Sequence, residues 1–133
     1  MGRPLVAILI GFVVASAIAV GADAAIRSLF PSALPSNGYP EAAWLSIVLV
    51  YVAIAAVVGG IVAAHLTPGR ETQTGLELGG LMLVTGLAGA VARPHTAPLW
   101  YHVISLALVL PVTVAGARWR ARLRTHPRAV RDG

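Results

Sequence analysis

Apolar residues in this chain fall into four long runs, each bounded by ionisable residues. Leu5 to Ala22 and Ala42 to Ala64 hold no ionisable side chain. Leu78 to Ala92 lies between Glu77 and Arg93, and Val103 to Ala117 lies between His102 and Arg118. A helix needs about 20 residues, at about 1.5 Å each, to cross a hydrocarbon core about 30 Å thick. The first two runs meet that length alone. The last two meet it with one added turn, Gly75 to Leu78 and Leu99 to His102. The pattern predicts an all-α, polytopic membrane protein whose domain, residues 1–117, is a bundle of four transmembrane helices. The expected spans are about 5–26, 42–66, 75–92 and 99–117, with an Arg-rich tail over 118–133.

The ends of the runs carry helix punctuation. Pro4 suits a first turn, where its missing N–H costs nothing. Thr74-Gly75-Leu76-Glu77 reads as a capping box ahead of the third span. Pro68-Gly69 marks a turn after the second, and Pro94 and Pro98 bracket the connection before the fourth. Trp44 and Trp100-Tyr101 stand at run ends, where amphipathic rings favour the membrane–water boundary. Pro111, inside the fourth run, deprives the Ala107 carbonyl of its helical partner and predicts a kink.

Composition narrows the class. Of the 133 residues, 57% are hydrophobic and 11% charged, with a mean hydropathy of +0.80. A soluble domain carries about a quarter charged residues, so a water-soluble globule and a disordered chain are both excluded. The absence of cysteine removes disulfides, zinc–thiolate sites and thiol nucleophiles.

Charge sets the expected orientation. All ten basic residues are arginine. With both termini cytoplasmic, the inner segments hold Arg3, Arg70 and six tail arginines, against Arg27 and Arg93 outside. Eight against two is a strong positive-inside bias and matches an even number of spans. The expected location is the bacterial cytoplasmic membrane. A competing reading takes Arg3, the first run and Ala22-Asp23-Ala24 as a cleavable signal peptide. The run exceeds the usual 7–15 residues of such a segment, which favours a retained span.

Lipid tails are as apolar as leucine, so spans associate through close backbone approach at small residues. Stripes spaced by four occur at Gly11, Ala15 and Ala19, at Ala55, Gly59 and Ala63, and at Ala56, Gly60 and Ala64. Gly75 with Gly79, and Gly86 with Ala90, continue the pattern in the third span. They read as internal seams, or as seams between copies of the chain.

Few residues offer chemistry. Asp23 and Arg27, spaced i, i+4, can pair on one helical face. They read either as an interfacial pair fixing a helix end or as an ionisable site facing other helices. Glu77 reads as a cap, favoured there by the helix dipole, or as the buried carboxylate of a proton-coupled carrier. His95 and His102 share the outer side with Asp23 and Arg27, where a proton or metal site is conceivable, but their spacing matches no compact ligand motif. His65 belongs to the opposite face. Arg118, Arg120, Arg122 and Arg124 read as a topology anchor on anionic lipid headgroups, each worth about 1 kcal/mol. Nucleic-acid binding is disfavoured, because the pI of about 11.1 comes mostly from this juxtamembrane run. No nucleophile elbow, P-loop, HExxH or dinucleotide turn is present, so no catalytic residue, cofactor or metal is expected.

The elements Asp23, Arg27, Phe30-Pro31, Gly59-Gly60-Ile61-Val62-Ala63-Ala64, Gly69-Arg70, Pro94-His95, Leu99-Trp100-Tyr101 and Pro111 together resemble small four-span bacterial integral membrane proteins of uncharacterised activity. Two departures stand out. Thr96-Ala97-Pro98 separates the Pro-His and Leu-Trp-Tyr elements, and Gly75 stands where that pattern has a histidine. The resemblance implies fold and location, and no activity. The expected function is accordingly a non-enzymatic accessory or scaffold component, with a membrane-protein partner or a second copy of the chain. The alternatives are a small homodimeric proton-coupled carrier, similar to the multidrug-resistance type, and a redox or quinone-associated subunit.

Overall fold

The computed structural model describes residues 2–32, 41–95 and 97–125. They form α1 (Gly2–Leu29), α2 (Ala42–His65), α3 (Glu71–Ala92) and α4 (Leu99–Thr125), and no strand occurs among the described residues. Each helix is long and apolar enough to cross a membrane. The helices run alternately up and down. Gly2, His65, Glu71 and Thr125 mark a basal end, and Leu29, Ala42, Ala92 and Leu99 a distal end.

What faces outward is apolar. Leu5, Val13, Val20, Val50, Val84, Val91 and Val103 are each more than half exposed. A protein bathed in water rarely leaves such a sheath uncovered, whereas hydrocarbon solvates it without penalty. What faces inward is small: Ala7, Ala15, Ala55, Ala56, Ala63, Ala64 and Ala117 are buried, and Leu78, Thr74 and Thr113 are the largest side chains fully enclosed.

Those small residues let backbones touch. A Cβ at Gly11 would stand 2.8 Å from the Gly59 carbonyl oxygen, and a Cβ at Gly59 would stand 2.8 Å from the Gly11 carbonyl oxygen. One residue further round α2, a Cβ at Gly60 would collide with the Thr113 carbonyl of α4. Gly116 is held equally close to the Val57 carbonyl, a contact with no small-residue repeat to announce it. Gly75 and Gly79 of α3 lie against Ala117 and Leu110 of α4. α2 packs on all three other helices and α3 packs on α1 and α4, but no described Cα of α1 comes within 8 Å of one in α4.

The packing is uneven along the axis. In α3 the buried residues are Glu71, Thr74, Gly75, Leu78 and Gly79, all in its basal half. Residues 84–89 are exposed without interruption. The distal half of α3 is therefore loosely covered, although Gly86 still meets Leu106 of α4.

Two helix ends differ from the sequence expectation. α3 begins at Glu71, with Arg70 as N-cap and no side-chain cap, so Thr74 lies one turn inside and Thr74–Glu77 is not a capping box. Glu77 is exposed and accepts a 3.1 Å hydrogen bond from Gln73 Nε2. α4 continues through Pro111 and beyond Ala117, the expected end of the fourth span, to Thr125, so Arg118, Arg120, Arg122 and Arg124 stand on the helix. Arginine is a good helix former, and the charges that end a hydropathy run do not end the helix. The rest of that tail, residues 126–133, lies outside the described residues.

Candidate functional site

The loose cover over distal α3 and the lack of close backbone packing between α1 and α4 leave a cavity of about 280 Å³ between the helices. All four helices line it. α1 contributes Phe12, Ala15, Ser16 and Ala19, and α2 contributes Val52, Ala55 and Ala56. α3 adds Met82, Thr85 and Gly86, and α4 adds Tyr101, His102, Ser105, Leu106 and Val109. No Asp, Glu or Arg stands on the wall.

Its polar groups divide into satisfied and unsatisfied. Thr85 donates to the Leu81 carbonyl at 2.8 Å, and Ser105 donates to the His102 carbonyl at 3.1 Å, each hydroxyl turned back onto its own helix. His102 Nε2 is buried and has no hydrogen-bond partner, the one side-chain polar atom in that state among the described residues. An unsatisfied buried polar atom costs about 1–3 kcal/mol. The His102 ring is flanked by Tyr101, with centroids 5.9 Å apart and planes at 73°.

Above the cavity, the Tyr51 hydroxyl of α2 donates to Asp23 Oδ1 of α1. Asp23 is half-buried and lies within electrostatic range of Tyr101 on the cavity wall. Arg27 stands one turn further along α1, exposed. Tyr51 escaped the sequence reading, although a phenol in the middle of an apolar run signals a hydrogen-bonded partner.

A second polar cluster closes the basal end. Glu71 is 6% exposed. Its Oε1 accepts from Arg124 Nε at 2.7 Å and its Oε2 accepts from the Gly69 backbone N–H at 3.0 Å. Gly69 has φ +90, a conformation that suits glycine and turns the chain from α2 into α3. Beside it, Thr67 Oγ1 lies 3.0 Å from the Ala63 carbonyl oxygen and 2.9 Å from Thr74 Oγ1, all three residues being buried. Glu71 was also missed by the sequence reading. Its signal was a carboxylate directly after the Pro68-Gly69 turn, facing an arginine-rich helix end.

Asp23 and His102 belong to the distal half, and Glu77 lies on the basal half of α3, exposed. His95 is exposed on the α3–α4 connection. No group of three His, Cys, Asp or Glu side chains fit to hold a metal ion occurs among the described residues. Gly11, Ala15, Gly59, Gly60, Gly75, Gly79 and Gly86 lie in the inter-helix contacts, and Ala15, Ala19 and Gly86 line the cavity. Arg124, expected at lipid headgroups, gives its Nε to Glu71. Compared with known proteins, the chain matches no family model, no curated protein and no solved structure.

Proposed function

We propose that this chain is an integral membrane protein of the bacterial cytoplasmic membrane, with both termini cytoplasmic. In that setting it acts as an accessory component, by binding and assembly rather than by turnover. The observation that carries this reading is the apolar sheath around four helices whose contacts are backbone-close and built from glycine and alanine. Such a bundle is a rigid body with a lipid-compatible outside. The eight-to-two arginine asymmetry supports the orientation. Arg118, Arg120 and Arg122, on the last turns of α4, are suited to anionic headgroups.

Native mass spectrometry after mild extraction from the producing membrane tests the accessory role. A stoichiometric complex with another membrane polypeptide is the expected result, and a purified chain that turns over a substrate alone refutes it. The cysteine-free sequence makes orientation easy to test by single-cysteine labelling. Glu41→Cys should react with an impermeant maleimide in intact spheroplasts, and Gln73→Cys only after permeabilisation.

The Asp23–Tyr51 contact favours a second reading, a homodimeric proton-coupled carrier, because it puts an ionisable group beside the cavity. Glu77, exposed on α3, does not support that reading. A stable homodimer whose transport is lost in Asp23→Asn would favour the carrier over the accessory component.

A further inference from the structure

We propose that the basal end of α4 carries a site for one anionic phospholipid, its phosphate held by Arg118 and Arg122 and an acyl chain lying along Pro111, Val114 and Ala115. The inference deepens the headgroup contact proposed above and rests on the bilayer setting, not on the accessory role.

α4 divides its faces. Leu110, Thr113, Gly116 and Ala117 lie against α2 and α3. Pro111, Val114, Ala115, Arg118, Trp119 and Arg122 form a separate stripe and line a groove of about 400 Å³ along the helix. All of them except Val114 are exposed. Polarity changes once along this stripe: carbon only as far as Ala115, and both arginines beyond it. The rise from Pro111 to Arg118 is about 10 Å, at about 1.5 Å per residue. An apolar floor thus leads to two guanidinium groups one helical turn apart, with no Asp or Glu on the groove wall.

That order selects the occupant. A free anion would use the guanidinium groups and leave the floor bare, and an uncharged amphiphile would do the reverse. A phospholipid of net negative charge uses both. Arginine presents five N–H donors in a fixed fork that matches phosphate oxygens. Trp119, 56% exposed, marks the charged end of the groove as the level of the headgroups.

The arginines of this helix end are therefore not equivalent. Arg120 and Arg124 do not line the groove; Arg120 is half-buried, and Arg124 gives its Nε to Glu71. A diffuse electrostatic anchor depends on the number of charges, whereas a site depends on their position.

The test uses the full chain in micelles of a mild non-ionic detergent, titrated with phosphatidylglycerol and phosphatidylcholine of matched acyl chains and followed by native mass spectrometry. A one-to-one complex with phosphatidylglycerol is expected, about 25-fold tighter than with phosphatidylcholine, or about fivefold per arginine. Arg118→Gln and Arg122→Gln should each weaken it about fivefold. Arg120→Gln, with the same change in net charge, should leave it unchanged. Ala115→Phe, which fills the floor without altering charge, should abolish the saturable complex. Unfolding midpoints are recorded for every variant, and Arg118→Met, which keeps the apolar stem, replaces Arg118→Gln if that chain does not fold. Equal losses in Arg118→Gln and Arg120→Gln, no preference for phosphatidylglycerol, or an undiminished complex in Ala115→Phe overturns the site. Displacement of the lipid by millimolar inorganic phosphate makes a free anion the occupant and overturns it too. A chain that stays monodisperse in buffer without detergent overturns the bilayer setting, a result distinct from loss of the site alone.

Discussion

Glu71, the first residue of α3, and Arg124, in the last turns of α4, meet through a 2.7 Å contact between Oε1 and Nε. The pair spans 53 residues of sequence and ties the α2–α3 turn to the end of the fourth helix. Glu71 is nearly enclosed and Arg124 is half-exposed, so the two partners do not share the cost of separation equally.

That inequality makes the first prediction. Arg124→Ala strands a nearly enclosed carboxylate with only the Gly69 N–H to hold it, and should destabilise the fold by about 2–3 kcal/mol. Glu71→Ala leaves the half-exposed guanidinium to water and frees the Gly69 N–H, and should cost about 1 kcal/mol. Unfolding in mixed micelles, followed by circular dichroism, measures both. Equal losses would mean that the Glu71 carboxylate is not shielded from water.

Glycine position, rather than glycine content, should decide tolerance. Gly60→Ala drives a methyl into the Thr113 carbonyl and should cost about 1–3 kcal/mol. A Cβ at Gly80, on the next helix, meets nothing within 4 Å. Gly80→Ala should be neutral or stabilising by up to about 1 kcal/mol. The same unfolding assay separates them. A Gly60→Ala protein as stable as the parent would show that α2 and α4 are not in backbone contact.

Thr67 and Thr74 face each other across the turn with their hydroxyls 2.9 Å apart. Hydrogen bonds between helices in bilayers are worth about 0.6 kcal/mol on average. Thr74→Val should therefore cost about that much, and Thr67→Val slightly more, because Thr67 also contacts the Ala63 carbonyl. The double variant should lose less than the sum of the two. Strict additivity would rule out a direct interaction.

At the distal end the contact between Tyr51 and Asp23 needs an acceptor, not a charge. Asp23→Asn keeps an oxygen in place and should retain most of the stability that Asp23→Leu and Tyr51→Phe lose, about 1 kcal/mol. If Asp23→Asn is as damaging as Asp23→Leu, the ionised carboxylate itself is required.

The helices were legible because their boundaries are chemical: runs of carbon ended by Arg, Glu or His. Where a boundary is set by tertiary contact, the sequence misled. Thr74 has the right neighbours for a capping box. Its hydroxyl meets Thr67 only because α2 and α3 fold back on each other, and that pairing has no local signature. Gly116 has no small residue four positions away, and its partner is the Val57 carbonyl, a backbone atom. Ala19 sits in a four-residue stripe like the others, yet it lines open space. Small residues permit contact, and the course of α3 decides where contact stops. The cavity was invisible for the same reason. Its wall residues lie on four separate helices, and only His102 among them had drawn notice as chemistry.

Gly59 and Gly60 are neighbours in sequence, yet Gly59 meets α1 and Gly60 meets α4. During synthesis the first of these faces finds its partner at once, within the α1–α2 hairpin. The second stays bare until the whole of α4 has left the ribosome. A nascent chain halted after α3 therefore leaves the Gly60 face of α2 uncovered.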